Sequence, residues 1–433
     1  MVEAGQIAGF AYIWLLVFLV LLCCFVLWRI VPKGYFRKKK PETSRPAGEW
    51  AVSIPTHENP VVVGNPFRGI FIAGAAGSGK SESVAVPLLL EFIRKGFAGI
   101  VYDFKFPALD NDISSFLNAT GSDLRHFRLN FSNPYRTDFV NPIQPEYVPN
   151  TSYAREYAVS IVANLTKESI KNPDFWSRSA TDVLTACIWY LREEHPEICD
   201  IPHVLAMVGS NGTALLNTLQ KNIITEQMVR SVYDALQRGA DNQVSGVLGT
   251  LQGAVAQINT PEMMWVFSRP GCPLDVNNPD HPAILTVATN PTTSQTLSPL
   301  CSLVITVATK LMNQPGKVPS FVMLDEAPTV FIPNLEVVPN TGRSNRIATV
   351  LMCQDLAQLA DGYGDKKADV LFAACNSHFY GRVASSKTSE VFSRQFGKTD
   401  TVFTTQSENK GAISPFKSKG QSEGVQELSL IHI

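Results

Sequence analysis

The sequence lacks an excess of charge of either sign, and it lacks the cysteine spacings of metal-binding proteins. Its 37 basic and 38 acidic residues give a formal net charge of −1. That balance excludes a protein that binds nucleic acid through a uniformly basic surface, so any contact with DNA would need local basic patches. The eight cysteines are scattered, with no C-x-x-C and no Cys/His spacing suited to zinc. We therefore expect ordinary core thiols in a reduced compartment.

Disorder is excluded as well, because 45% of the 433 residues are hydrophobic and only 17% are charged. Charge is absent from residues 7–28, an apolar run long enough at ~1.5 Å per residue to cross a ~30 Å hydrocarbon core as a helix. A cleaved signal peptide would carry positive charge before this run, whereas Glu3 precedes it and six basic residues follow between Arg29 and Lys40. The positive-inside rule then predicts a single membrane span with everything after Arg29 in the cytoplasm.

A phosphate-binding loop is the clearest motif of the chain. Residues 74–81 fit G-x-x-x-x-G-K-[ST] and lie between a strand-like apolar run and an amphipathic helical pattern. Main-chain N–H groups of such a loop wrap a polyphosphate, while Lys80 reaches the β- and γ-phosphates and Ser81 can ligate Mg²⁺. The residues predicted to hold the nucleotide are Gly74, Ala75, Ala76, Gly77, Ser78, Gly79, Lys80 and Ser81.

A second apolar run, the four residues 321–324, is followed by Asp325 and Glu326. In nucleotide hydrolases a buried strand of this kind delivers an aspartate to Mg²⁺ and a glutamate that polarises the attacking water. A buried strand that ends in a polar turn without a catalytic role would have the same sequence pattern. The phosphate-binding loop earlier in the chain favours the catalytic interpretation.

Two further positions follow the Asp-Glu pair. The strand predicted at residues 347–352 ends near Gln354, a neutral side chain placed where it could sense the γ-phosphate. Arg343 and Arg346 lie between the two strands. An exposed arginine there is a candidate finger for the nucleotide of a neighbouring subunit, or it is only a solvated surface residue.

Hydrophobic periodicity predicts an α/β domain that helices interrupt. A strand is predicted at residues 98–103, and a helical pattern recurs at i, i+4, i+7 and i+8 from Trp176 onward. Strand signals resume only at residues 283–289. We expect a membrane anchor at 1–30, a basic juxtamembrane segment and linker at 31–66, two parts of a nucleotide-binding domain at 67–150 and 270–403, an all-helical insertion at 151–269, and a flexible tail at 404–433.

Taken in order, these elements resemble the type IV secretion coupling proteins, the TraG-like family of membrane-anchored ATPases that drive conjugative DNA transfer. The resemblance covers most of the chain after Arg29. It is carried by residues 74–81, the strand end at 101–105, the helix that begins at Phe175-Trp176, residues 324–326, Gly342-Arg343, and residues 354–359.

The resemblance implies a RecA-like P-loop motor domain with an all-helical insertion, preceded by an N-terminal transmembrane helix in the cell inner membrane. It implies ATP and Mg²⁺ as cofactors and a homo-hexamer. The implied partners are single-stranded DNA, a relaxase or relaxosome, the type IV secretion channel and the membrane. Residue by residue it implies that Lys80 and Ser81 hold phosphate and Mg²⁺, Asp325 holds Mg²⁺, Glu326 orients water, Gln354 is the sensor, and Arg343 is the finger in trans.

Two departures from the family pattern accompany the match. Many members have two membrane helices, whereas this sequence predicts one before the motor. Members also usually continue with a further motor segment after the region that matches Phe396-Gly397, whereas a polar tail follows that region here. The same motifs also fit an FtsK-type DNA translocase or a secretion ATPase that handles only protein. A non-hydrolysing nucleotide-binding scaffold at the membrane is a third alternative, which the complete set of Lys80, Ser81, Asp325 and Glu326 disfavours.

Overall fold

The computed structural model describes residues 48–396 and the backbone of two later strands, Lys398–Asn409 and Ser418–Ser429. The transmembrane helix expected at residues 7–28 and the basic cluster after it lie outside the described residues. Within the described part of the chain, the helix Ser294–Met312 has the length and composition of a membrane span, but 72% of its apolar window is buried inside the protein. That helix packs in the interior as a core element.

A seven-stranded, entirely parallel sheet forms the centre of the domain. Every residue in five of its strands is buried, as expected for a parallel sheet that helices cover on both faces. A short antiparallel pair precedes it, β1 (Val52–Ile54) with β2 (Val61–Val63). The strands of the sheet are β3 (Ile70–Ala73), β4 (Ala98–Asp103), β5 (Arg125–Asn130), β6 (Ala283–Ala288), β7 (Ser320–Leu324), β8 (Ile347–Cys353) and β9 (Ser377–Tyr380).

The strand order across the sheet is β5-β6-β4-β7-β8-β3-β9. β8 therefore lies between β3, which leads into the phosphate-binding loop, and β7, which leads into Asp325. Because parallel strands end at the same edge of a sheet, the segments that follow these three strands meet there. This arrangement creates the candidate site.

Helices account for most of the remaining described chain. α3 starts at an asparagine cap, where the Asn150 side chain accepts the N–H groups of Ser152 and Tyr153. The α-helices are α1 (Val86–Arg94), α2 (Ala108–Thr120), α3 (Thr151–Leu165), α4 (Glu168–Lys171), α5 (Phe175–Glu194), α6 (Ile201–Val208), α7 (Gly212–Leu219), α8 (Ile223–Gln237), α9 (Asp241–Ala256), α10 (Pro261–Phe267), α11 (Ser294–Met312), α12 (Val337–Thr341), α13 (Leu356–Tyr363), α14 (Asp365–Ala374) and α15 (Ser386–Phe396).

The chain between β5 and β6 contains α3 to α10 and no strand, which is the region expected to form the helical insertion. The helical pattern that begins near Trp176 corresponds to α5. Every residue of α5 from Ala180 to Leu191 is buried except Asp182. α3 packs against α5 and also against α11 of the motor. One helix of the insertion is therefore part of the motor's core.

Three segments differ from the boundaries expected from sequence. The sequence pattern predicts a strand at residues 378–383, but β9 ends at Tyr380, because the residues that follow turn toward the phosphate-binding loop. The pattern also predicts a helix at residues 390–397, but α15 begins at Ser386. The tail expected to be flexible contains an antiparallel pair, β10 (Lys398–Asn409) and β11 (Ser418–Ser429), in which Val402 opposes Val425. β10 contains four threonines, a valine and a phenylalanine, residue types that favour a strand over coil.

Candidate nucleotide-binding site

The phosphate-binding loop connects β3 to α1 through one irregular turn. Residues 74–80 lead into a π-helical turn, Ser81–Ala85, before α1 begins. Gly77 and Gly79 have φ angles of 74° and 80°, a region that side chains larger than hydrogen rarely allow. The glycines therefore permit the backbone path that directs N–H groups toward a polyphosphate.

Hydrogen bonds hold this loop to the strands on either side of β3. The N–H of Gly74 donates to the carbonyl of Cys353 at the end of β8 (3.2 Å), and the N–H of Ala75 donates to the carbonyl of Arg382 (2.7 Å). A Cβ at Gly381 would lie only 2.9 Å from Ser78 Oγ. Sequence reasoning missed the contribution of Gly381 and Arg382, although a glycine inside the strand predicted at residues 378–383 was the available signal.

Lys80 and Glu326 form an ion pair, with 3.1 Å between Lys80 Nζ and Glu326 Oε2. Their side chains are only 11% and 8% exposed. Glu326 has a φ angle of 70°, and its carbonyl accepts both the N–H (3.0 Å) and the hydroxyl (2.7 Å) of Thr329. A non-glycine residue persists in this conformation only when its surroundings hold it there. The structure thus brings the lysine of the loop to the glutamate after β7.

Asp325 continues the pairing of β7, because its N–H donates to the carbonyl of Tyr102 (3.1 Å). Burial raises the pKa of this carboxyl, Lys80 opposes that shift, and Glu326 adds to it. In the described residues no group of three or more His, Cys, Asp or Glu side chains could hold a metal. Mg²⁺ at nucleotide sites is usually bound by one or two carboxylates together with substrate phosphates, and Asp325 and Ser81 are the candidate ligands here.

Two buried polar atoms at the site have no hydrogen-bond partner among the residues described, Ser78 Oγ in the loop and Glu326 Oε1 beside it. A buried polar atom without a partner costs about 1–3 kcal/mol. In a nucleotide complex, a phosphate oxygen would accept a hydrogen bond from Ser78 Oγ, and a water molecule would donate one to Glu326 Oε1. The residues present therefore fit a magnesium-bound nucleoside polyphosphate.

Asp103, at the end of β4, is a functional candidate to which sequence reasoning gave no role. It is completely buried, and its carboxylate accepts the N–H groups of Lys105 (3.2 Å) and Asp110 (3.1 Å). Burial raises the pKa of Asp103 to about 7, the two N–H donors oppose the shift, and Asp325 adds to it. A second carboxyl thus lies beside Asp325 at this edge of the sheet.

Gln354 follows β8 and is half-buried at the same edge. The next residue, Asp355, caps α13 by accepting the N–H of Gln358 (2.9 Å), which fixes the main chain at this point. Gln354 and Glu326 both line a cavity of about 720 Å³ that extends toward Asn164 of the helical insertion. The structure therefore places Gln354, the candidate sensor, at the same cavity as Glu326, the candidate catalytic residue.

Arg343 lies at the opposite edge of the sheet, because it precedes β8 while Gln354 follows it. The seven residues of β8 span about 20 Å at roughly 3.3 Å per residue. Arg343 is exposed, and no partner for its guanidinium is found within the described chain. Arg346, in contrast, donates to the carbonyl of Lys317 (3.1 Å). The structure does not bring Arg343 to the phosphate-binding loop of its own subunit.

Solved structures with this fold include the bacterial conjugative coupling protein TrwBdeltaN70 in an unbound monoclinic form. It is 18% identical, with 88% of this chain and 82% of that chain covered and a TM-score of 0.64. TrwB in complex with ADP and Mg²⁺ is 19% identical over 77% of this chain and 76% of that chain, with a TM-score of 0.61. TrwB in complex with the GTP analogue GDPNP is 19% identical over 77% and 75%, also with a TM-score of 0.61. These similarities establish the α/β motor fold.

No curated protein matches the chain. The family model described as type IV secretory system conjugative DNA transfer matches residues 33–430. That range includes the phosphate-binding loop, the helical insertion and the Asp-Glu pair. It also includes both motor segments that the sequence predicts. The chain therefore belongs to the type IV secretory system conjugative DNA transfer family.

Proposed function

We propose that this chain is an ATPase that couples relaxase-bound single-stranded DNA to a type IV secretion channel and drives conjugative DNA transfer by ATP hydrolysis. The observation that carries the hydrolytic part is the 3.1 Å contact between Lys80 of the loop and Glu326 after β7. Family membership supports the assignment to DNA transfer. The relaxosome and the channel components are partners that this proposal requires.

ATP and Mg²⁺ are the proposed cofactors. The loop N–H groups bind the phosphates, Lys80 neutralises phosphate charge, and Ser81 and Asp325 are the proposed Mg²⁺ ligands. The bound ion supplies further positive charge at the β- and γ-phosphates. Glu326 orients the attacking water and accepts its proton, while Gln354 contacts the γ-phosphate side of the site. The complex of TrwB with ADP and Mg²⁺ supports this choice of ligand, and the complex with GDPNP supports a nucleoside triphosphate in general.

The proposal includes a homo-hexamer in which Arg343 completes the site of the next subunit. Its exposed position at the far edge of the sheet supports a role in trans. A finger residue stabilises the charge on the γ-phosphoryl oxygens and is typically worth about 10³ to 10⁵ in rate. Subunits with Arg343→Ala and subunits with Lys80→Ala should each be inactive, and a mixture of the two should recover partial hydrolysis. No recovery in mixed assemblies, confirmed with differential tags, would exclude the role in trans.

Localisation at the cell inner membrane with one span at residues 7–28 is also a proposal, supported by the basic residues between Arg29 and Lys40. A cytoplasm-dependent reporter fused after the motor should be active. A periplasm-dependent phosphatase at the same fusion point should be inactive. The reverse pattern would contradict this topology.

The test of function is ATP hydrolysis by the detergent-purified protein with and without single-stranded DNA, with Glu326→Gln as the inactive control. Stimulation by single-stranded DNA is the expected result. Stimulation by duplex DNA alone would indicate an FtsK-type translocase. A rate that responds only to protein substrate would indicate an effector-secreting ATPase, and nucleotide binding without any turnover would indicate a scaffold.

A further inference from the structure

Asn164, near the carboxyl end of α3, binds both main-chain groups of Phe331 in the motor. Its Nδ2 donates to the Phe331 carbonyl (2.7 Å), and its Oδ1 accepts the Phe331 N–H (2.9 Å). The remaining amide proton is donated to the carbonyl of Ser160 (2.8 Å). Asn164 is only 4% exposed. The reverse amide orientation would place the amide NH2 against the Phe331 N–H and the amide oxygen against the carbonyls of Phe331 and Ser160, so the network determines which atom is which.

Phe331 follows Glu326 closely in the chain, and the residues between them are held tightly. Ala327–Thr329 forms a 3-10 helix, and the Thr329 hydroxyl binds both the Glu326 carbonyl (2.7 Å) and the Tyr102 hydroxyl (3.0 Å). Because these hydrogen bonds fix residues 327–329, the backbone between Glu326 and Phe331 has little freedom to adjust when Phe331 moves. A displacement of Phe331 therefore reaches the strained backbone of Glu326.

Two motor side chains hold the same segment from other directions. Ser302 Oγ of α11 donates to the Phe331 carbonyl (2.6 Å). The hydroxyl of Tyr363, at the end of α13, donates to the carbonyl of Val330 (2.8 Å) and accepts the N–H of Ile332 (3.2 Å). α13 begins just after Gln354. The segment 330–332 thus connects the insertion, the core helix α11 and the helix that follows the candidate sensor.

We propose that Asn164 is a positioning residue that couples movement of the helical insertion to the orientation of Glu326 through Phe331. The inference rests on the proposed ATPase function. The cavity of about 720 Å³ beside Asn164 and Glu326 leaves room for such movement. The ion pair between Lys171 and Asp361 also joins the insertion to the motor, but these side chains are 44% and 86% exposed, so it constrains the cleft weakly. The buried amide is the stronger and more directional connection.

Asn164→Asp is the decisive variant, because it keeps an acceptor for the Phe331 N–H and places a carboxylate oxygen against the Phe331 carbonyl. The variant also loses the bond to the Ser160 carbonyl, which lies within α3. We expect kcat for ATP to fall about tenfold, since the loss of the bond from Nδ2 to the Phe331 carbonyl corresponds to about that factor. KM for ATP should change less than about twofold, because the phosphate-binding loop is untouched. The matched control is Ser160→Ala on the same helix, where the buried hydroxyl binds only the Tyr157 carbonyl (2.7 Å). An unchanged kcat in Asn164→Asp, or an equal loss in both variants, overturns the inference.

Hydrogen exchange on the wild-type full-length protein tests the same point without a substitution. Addition of a non-hydrolysable ATP analogue with Mg²⁺ should change protection at residues 326–332 and at residues 160–165 together. A change confined to residues 326–332 refutes the coupling. This measurement needs nucleotide binding only, so it decides the inference even if the wild type shows no turnover, a result that would refute the proposed function instead.

Discussion

The buried pair of Lys80 and Glu326 makes a prediction that separates binding from catalysis. Lys80→Ala leaves the Glu326 carboxylate buried without a cation, and removing one partner of a buried pair costs about 3–5 kcal/mol. Glu326→Gln leaves a neutral amide, while Lys80 keeps the nearby charge of Asp325. We expect this second change to cost only about 1 kcal/mol. The two single variants should therefore differ in nucleotide-free stability.

The double variant is the sharper test, because it contains no unpaired carboxylate at position 326. Adding Glu326→Gln to Lys80→Ala should restore about 2 kcal/mol of the lost stability. The measurement is the denaturant midpoint of the detergent-purified protein without nucleotide, followed by tryptophan fluorescence. A double variant whose loss equals the sum of the single losses would show that the 3.1 Å contact carries no coupling energy.

Nucleotide binding by the same variants supplies the catalytic half of the prediction. Lys80 contacts phosphate charge before and during the reaction, whereas Glu326 acts only on the water. Lys80→Ala should therefore weaken binding of a fluorescent ATP analogue as well as hydrolysis. Glu326→Gln should bind the analogue like the wild type and stall. Equal loss of binding in both variants would contradict this division of roles.

Three further changes test other parts of the site. Gly381→Ala should lower affinity for an ATP analogue about tenfold, because a Cβ there would lie 2.9 Å from Ser78 Oγ, while Gly253→Ala, with open space around it, should have no effect in the same titration. The pKa of Asp103 rises from 3.8 to about 7 on folding, so unfolding releases a proton and the free energy of unfolding falls as pH rises through that window. Asp103→Asn should flatten this dependence in magnesium-free denaturation curves, and an unchanged slope would exclude Asp103 as its source. Tyr363→Phe leaves two main-chain groups unpaired and should cost about 1–3 kcal/mol of unfolding free energy, and an unchanged denaturant midpoint would contradict the assigned hydrogen bonds.

The family prediction made from the sequence is confirmed, and so is the α/β motor fold with its parallel sheet. Both depend on local patterns. The loop at residues 74–81 needs glycines where φ is positive, and these can be read from the letters alone. The periodicity around Trp176 follows from the geometry of one helix, which packs one face whatever its partner.

Only the tertiary structure decided which distant residues meet. Placing β8 between β3 and β7 brings Lys80 to Glu326. The bond between Asn164 and Phe331 likewise joins residues 167 positions apart. Strand order and helix packing depend on how complete hydrophobic faces fit together, and a local sequence pattern carries no information about its partner. The sequence alone therefore determined the parts of the site, and the packing of the sheet determined which of them act together.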